Sequence, residues 1–354
     1  MWHKMNKRRR LATDIQENTE SGEFDKLFTE ARPHILEKIG LSLDYETFKN
    51  CLKVNKAWRG VLTSKVYQPK VQSTFREDIT REENSLIKMS EDGETEGVRR
   101  ILSSGLVNVD CNDENLKPWA QIGPRTPLIY ASREGHADIV RLLIQAGADV
   151  NQEGPDNSEF EESPLMVAAN YNYFQVVKLL IEAGAEPDKV DQYTYGKTPL
   201  QLAAWNSNMP FGNLIPWDRE TPIAVLKLLL DNGADVNKGD EFGTTPLIAA
   251  AYMGDCEVAE LLLDRGADIE KANENWRAPL MTAVDANNKE MVKLLIDRGA
   301  DIIHGDGTIN NMGLAQEKGH HEIMSMLFNR YKTSIAPAHL AKLTLDEFLA
   351  YDSD

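Results

Sequence analysis

Cysteine is scarce: the 354 residues hold three, Cys51, Cys111 and Cys256. They are too few and too widely spaced for a disulfide framework or a zinc-ligand pattern. That scarcity predicts a reducing home, cytosolic or nuclear. Long apolar runs are missing too, so no segment reaches the roughly 20 residues that a membrane-spanning helix needs. The start, MWHKMNKRRRLATD, puts no hydrophobic stretch behind its basic residues and does not read as a secretory signal peptide. The seven histidines are scattered, and His320-His321 alone is too thin a set for a metal. No phosphate loop, dinucleotide fingerprint or nucleophile elbow occurs. These absences predict no cofactor, no metal and no catalysis by this chain.

Positive charge is short as well, and unevenly so. The net charge is −17, yet residues 1–83 hold 16 Lys+Arg against 13 Asp+Glu. The rest holds 23 against 43, a net of −20. A surface so acidic repels phosphate and excludes nucleic acid as the ligand of that region. It suits a neutral or basic protein partner, and it also keeps a long surface soluble. The basic cluster Lys7–Arg10 fits either a nuclear import signal or a solvated charge run.

What is present in abundance is a repeat. In Arg125 to Asn151, Thr126 is placed to cap a helix that opens with Pro127. Leu128 and Ala131 share a face, Gly135 breaks the run, and Ile139, Val140, Leu142, Leu143 and Ile144 make a second apolar helix. Gly147 closes that helix in the left-handed conformation. A helix pair of this size cannot bury its own apolar face and needs copies on both sides. Equivalents of Thr126 fall at Ser163, Thr198, Thr245, Ala278 and Asn310, in steps of 37, 35, 47, 33 and 32 residues. Five residues beyond each stands an alanine: Ala131, Ala168, Ala203, Ala250, Ala283 and Ala315. Gly147, Gly184, Gly233, Gly266 and Gly299 close the second helices, each followed by alanine.

A period in the low thirties built on Thr-Pro-Leu and Gly-Ala-Asp resembles the ankyrin repeat. The resemblance implies an all-α solenoid with short hairpin tips, and a fold that binds protein partners and catalyses nothing itself. It also implies that partners lie in the groove between the hairpin tips and the first helices. By phase, the tip positions contain Phe160, Tyr195, Phe242 and Trp276. The helix positions contain Arg133, Tyr171, Trp205, Tyr252, Met253 and Asp285. Seven aromatics in a groove are many for a chain with 7% aromatic residues, and aromatics suit interface centres. At least half of them are expected to be exposed, the others packing on the next hairpin.

Residues 24–65 carry no such phase. Ile35, Leu36, Ile39 and Leu43 mark a helix started by Pro33. Phe48, Leu52 and Val54 lead to Trp58, Val61 and Leu62. The order Pro33, Ile35, Leu36, Ile39, Leu43-Asp44, then Val54-Asn55-Lys56-Ala57-Trp58 resembles the F-box, a small three-helix module. It departs from that family's opening, with Arg32 before the proline and His34 after it. The resemblance implies docking on the adaptor of SCF-type cullin–RING ubiquitin ligases through an apolar helix face. Pro33, Ile35, Leu36 and Ile39 are the contact candidates, while Trp58 reads as core.

The expected organisation is a disordered stretch over 1–23, the F-box-like module over 24–65 and a connector over 66–83. An array of about seven repeats follows over 84–331, then a tail or cap over 332–354. The first repeat is worn, with Met89 where alanine is expected. The step of 47 is 14 above 33, which marks Ser207 to Glu220 as an insertion. Its Phe211, Leu214, Ile215 and Trp217 either pack back on the solenoid or meet a ligand. The function expected is that of a substrate-recognition subunit of an SCF-type ligase, and the alternative is a non-catalytic scaffold or inhibitor. The protein is expected in the cytoplasm, and in the nucleus if Lys7–Arg10 is read as an import signal.

Overall fold

Pro127 opens the first helix of the best-defined repeat directly behind Thr126, whose hydroxyl accepts from the Ile129 amide. This is the arrangement its sequence requires. A computed structural model describes residues 45–46, 48–49, 74–112, 125–152, 163–190, 195–207, 220–303 and 310–334. Among them lie fourteen α-helices and no β-strand. The chain divides into two compact units, Met1–Asp149 and Val150–Asp354.

The first unit holds α1 (Arg76–Asp92), α2 (Thr95–Leu102), α3 (Pro127–Arg133) and α4 (Ala137–Gln145). Helix α1 packs on α3, and α2 on α4. Helix α1 starts upstream of the expected repeat, inside the 66–83 stretch read as a connector. The reason is that Ile79 continues the apolar face of Leu86 and Ile87, and all three are buried. Beyond its start, Phe75 stacks on Phe48 at 5.0 Å and meets Tyr45 at 5.5 Å. Lys49 pairs with Glu82, which also accepts from the Tyr45 hydroxyl at 2.8 Å. Burial, with Glu82 beside it, pushes the Tyr45 hydroxyl well above its ordinary range. So part of the 24–65 segment is spent on internal packing. Met89, at the alanine position, is accommodated by Gly97: a Cβ there would run into the Met89 sulfur. The His136 ring bridges to the Glu91 carbonyl of the neighbouring repeat at 3.1 Å.

The second unit is a stack of helical hairpins. It comprises α5 (Pro164–Asn170), α6 (Phe174–Glu182), α7 (Pro199–Trp205), α8 (Glu220–Asp231) and α9 (Pro246–Met253). It continues with α10 (Cys256–Asp264), α11 (Pro279–Asp285), α12 (Lys289–Asp297), α13 (Asn311–Glu317) and α14 (His321–Ser334). First helices α5, α7, α9, α11 and α13 pack in series, and so do second helices α6, α8, α10, α12 and α14. Most of these first helices have seven residues, too few to persist alone in water. Packing holds them: Ala168, Ala203, Ala250, Ala283 and Ala315 are all fully buried, letting neighbouring backbones approach. Ser163, Thr198, Thr245 and Asn310 cap their helices through the side chain; Ala278 cannot.

The closing glycines Gly184, Gly233, Gly266 and Gly299 take φ of 89 to 96°. A Cβ there would meet nothing within 4 Å, so backbone conformation alone selects glycine. Past these glycines the repeats are clamped to one another. Side-chain oxygens of Asn151, Asp188, Asn237 and Glu270 accept the amides of Glu186, Asp235, Asp268 and Asp301 one repeat on, at 2.7 to 3.0 Å. In return, Lys189, Lys238 and Lys271 donate to the carbonyls of Asn151, Asp188 and Asn237. The His320 Nε2 is buried and has no hydrogen-bond partner among the described residues. Helix α14 runs on to Ser334, past the expected end of the array. Most of the insertion, 208–219, lies outside the described residues. Ser207, its first residue, is buried and donates to Asp255 at 2.8 Å.

Candidate protein-binding ridge

Three successive hairpin tips of the second unit line up through backbone hydrogen bonds. The Glu241 amide donates to the Tyr195 carbonyl at 2.7 Å, and the Glu274 amide to the Phe242 carbonyl at 2.8 Å. Each later tip is closed from within by one side chain. Asp240 accepts the amides of Phe242 and Thr244, and Asn273 those of Asn275 and Arg277, at 2.8 to 3.0 Å. Gln201 ties α7 to the following tip, donating to Asp240 at 3.0 Å and the Thr244 carbonyl at 2.7 Å. A surface held this way loses little conformational freedom when something binds to it.

On this frame stand large exposed aromatics. Tyr195 is 56%, Phe242 46% and Trp276 66% exposed. The Tyr195 and Phe242 rings are 5.2 Å apart and tilted by 45°. Tyr195 and Trp276 both take φ of 58°, a left-handed conformation that costs a side-chain-bearing residue about 1–2 kcal/mol. By register, Trp276 stands where the neighbouring tips use Gly196 and Gly243, with φ of 71 and 73°. The fold therefore tolerates strain to show an indole to solvent.

At the ends of the first helices runs a second column. Trp205 and Tyr252 stack at 5.3 Å with rings 16° apart, and Tyr252 is 56% exposed. Tyr171 is half-buried and stacks on Tyr173 at 5.9 Å. Tip and column are joined by charge. The Lys197 ammonium lies 5.4 Å from the Trp205 ring centre, a cation–π contact. One repeat beyond Tyr252, the same two positions hold Arg277 and Asp285, paired at 2.5 Å. Lys318 binds Asp285 from the other side at 2.8 Å. The Lys318 hydrogen bond, reinforced by Arg277, holds the Asp285 carboxyl below its usual range against the opposing effect of burial.

Of the seven predicted groove aromatics, Tyr195, Phe242, Tyr252 and Trp276 are exposed, while Trp205 and Tyr171 are half-buried. Phe160 lies outside the described residues, as do the adaptor candidates Pro33, Ile35, Leu36 and Ile39 and the core candidate Trp58. The phase singled out neither Lys197, which covers Trp205, nor the glutamates of the tips. Position one before the capping residue was the available signal for Lys197. Among the described residues no three His, Cys, Asp or Glu side chains cluster to hold a metal, and no helix is long and apolar enough to cross a membrane.

Comparison with known proteins agrees with the repeat. A family model described as ankyrin repeats (3 copies) matches residues 153–213 and 219–306, and a single ankyrin-repeat model matches 125–154 and 195–241. The chain is also similar to the ankyrin repeat and KH domain-containing protein mask-1 of Caenorhabditis elegans, at 30% identity over 190 residues. That match covers 53% of this chain and 6% of mask-1, so the chain spans only a small part of that relative's length. Ankyrin repeats serve protein–protein interaction, and the stacked, capped and clamped hairpins carry the surface for it. Within residues 125–306 the chain carries ankyrin repeats.

Proposed function

We propose that this chain is the substrate-recognition subunit of an SCF-type cullin–RING ubiquitin ligase. It captures a target protein on the aromatic ridge and meets the ligase adaptor through the 24–65 segment. The observation that carries target capture is the set of large aromatics exposed on hydrogen-bonded tips. The adaptor contact rests on the F-box-like order of Pro33, Ile35, Leu36 and Ile39. The protein works by proximity, raising the effective concentration of the target at the transfer site, with no chemistry of its own. Its place is the cytoplasm, extended to the nucleus if Lys7–Arg10 acts as an import signal.

A second reading is favoured by one contact. Phe48 and Lys49, inside the F-box-like stretch, are buried against Phe75 and Glu82. A segment used in this way acts as a cap, leaving a scaffold or inhibitor without a ligase. Co-purification of the full chain and of its Ile35→Ala/Leu36→Ala variant with the SCF adaptor separates the two. Adaptor retained by the wild type and lost by the variant is the result expected of a receptor. Adaptor retained by neither leaves the scaffold.

A further inference from the structure

The charges around the aromatic tips are sorted in a way that defines a ligand. Every cation described on these tips is already committed. Lys189, Lys238 and Lys271 are donors to backbone carbonyls of the preceding repeat. Lys197 covers Trp205, and Arg277 pairs with Asp285. The anions differ. Glu241 and Glu274 use their backbone amides to join the tips, but their side chains are exposed and meet no cation among the described residues. Glu241 adjoins Phe242 in sequence and Glu274 lies two residues before Trp276, so each of these two tips carries an exposed carboxylate and an exposed aromatic. The background is acidic too, with a net of −20 over residues 84–354.

Building on target capture by the ridge, we propose that its ligand is an extended basic peptide segment that presents arginine. A guanidinium is planar, stacks on aromatic faces and pairs in two-pronged fashion with a carboxylate. Tyr195, Phe242 and Trp276 supply the faces, and Glu241 and Glu274 supply the carboxylates. An acidic segment would meet uncompensated like charge, and a purely apolar one would leave both glutamates partly desolvated without partners.

The test is selection of a random-peptide display library on the full chain, followed by titration of the synthetic peptides recovered. Selected sequences enriched in arginine support the assignment if two further conditions hold. Affinity must fall about tenfold or more in Glu241→Gln/Glu274→Gln, and it must weaken as salt is raised. Peptides that are neutral or acidic, or that bind this variant as well as wild type, overturn the basic ligand. If they still lose binding in Phe242→Ala/Trp276→Ala, target capture by the ridge survives. Peptides indifferent to that second variant, or no selected peptide at all, overturn both. Because all four side chains are exposed, thermal unfolding of each variant is expected to match wild type.

Discussion

Trp276 is the residue at which stability and exposure conflict most plainly. Its left-handed backbone costs about 1–2 kcal/mol, while glycine there would restore about 0.4–1 kcal/mol of unfolded-chain entropy. The first quantity exceeds the second, so Trp276→Gly should stabilise the protein by about 0.5–1 kcal/mol and, at the same time, weaken target capture. Urea unfolding checks the stability, and a clear loss of stability would mean that the indole is a packing residue. The pattern in the sequence located Trp276 one residue off the phase of Tyr195 and Phe242. The phase aligns Trp276 with Gly196 and Gly243, but the strain follows only from the left-handed backbone that all three adopt. Lys197 was missed for a related reason. A lone lysine at a variable position looks like any solvated charge until the ring beneath it is placed.

At the scale of elements the sequence was far more legible. Caps, alanine columns and closing glycines recur at fixed spacing, and each has a local cause that a single chain reveals. Departures from the pattern depend on partners distant in sequence. Met89 looks like a worn alanine site, yet it is matched by Gly97 on the adjoining helix. Gly97→Ala alone sets a gain in helix propensity of about 1 kcal/mol against overpacking of similar or larger size. In a Met89→Ala background only the gain remains. The two substitutions should therefore couple by about 1 kcal/mol or more in a double-mutant cycle read by urea unfolding. Additive effects would show that the two side chains do not compete for the same space. The start of α1 at Arg76 has a similar origin. Phe75 and Ile79 find buried neighbours that composition alone does not disclose.

For the whole molecule, the repeat region and its binding surface follow from one another. Stacking aligns the tips, side-chain clamps lock successive repeats, and the lock fixes the aromatics and carboxylates of the proposed binding surface. The ankyrin character was legible in full because several features recur in phase. The 24–65 segment was legible only as a resemblance, because its apolar anchors occur once and have no second copy to compare. The central claim is that the exposed tip aromatics capture the partner and do not hold the fold. The most direct measurement compares wild type with Tyr195→Ala/Phe242→Ala/Trp276→Ala, scoring both the partners crosslinked in cells and the thermal unfolding of the purified chains. The account predicts that partners held by wild type are lost from the triple variant while the unfolding curves nearly coincide. The same partners recovered in the same yield, or a variant that no longer folds, would contradict it.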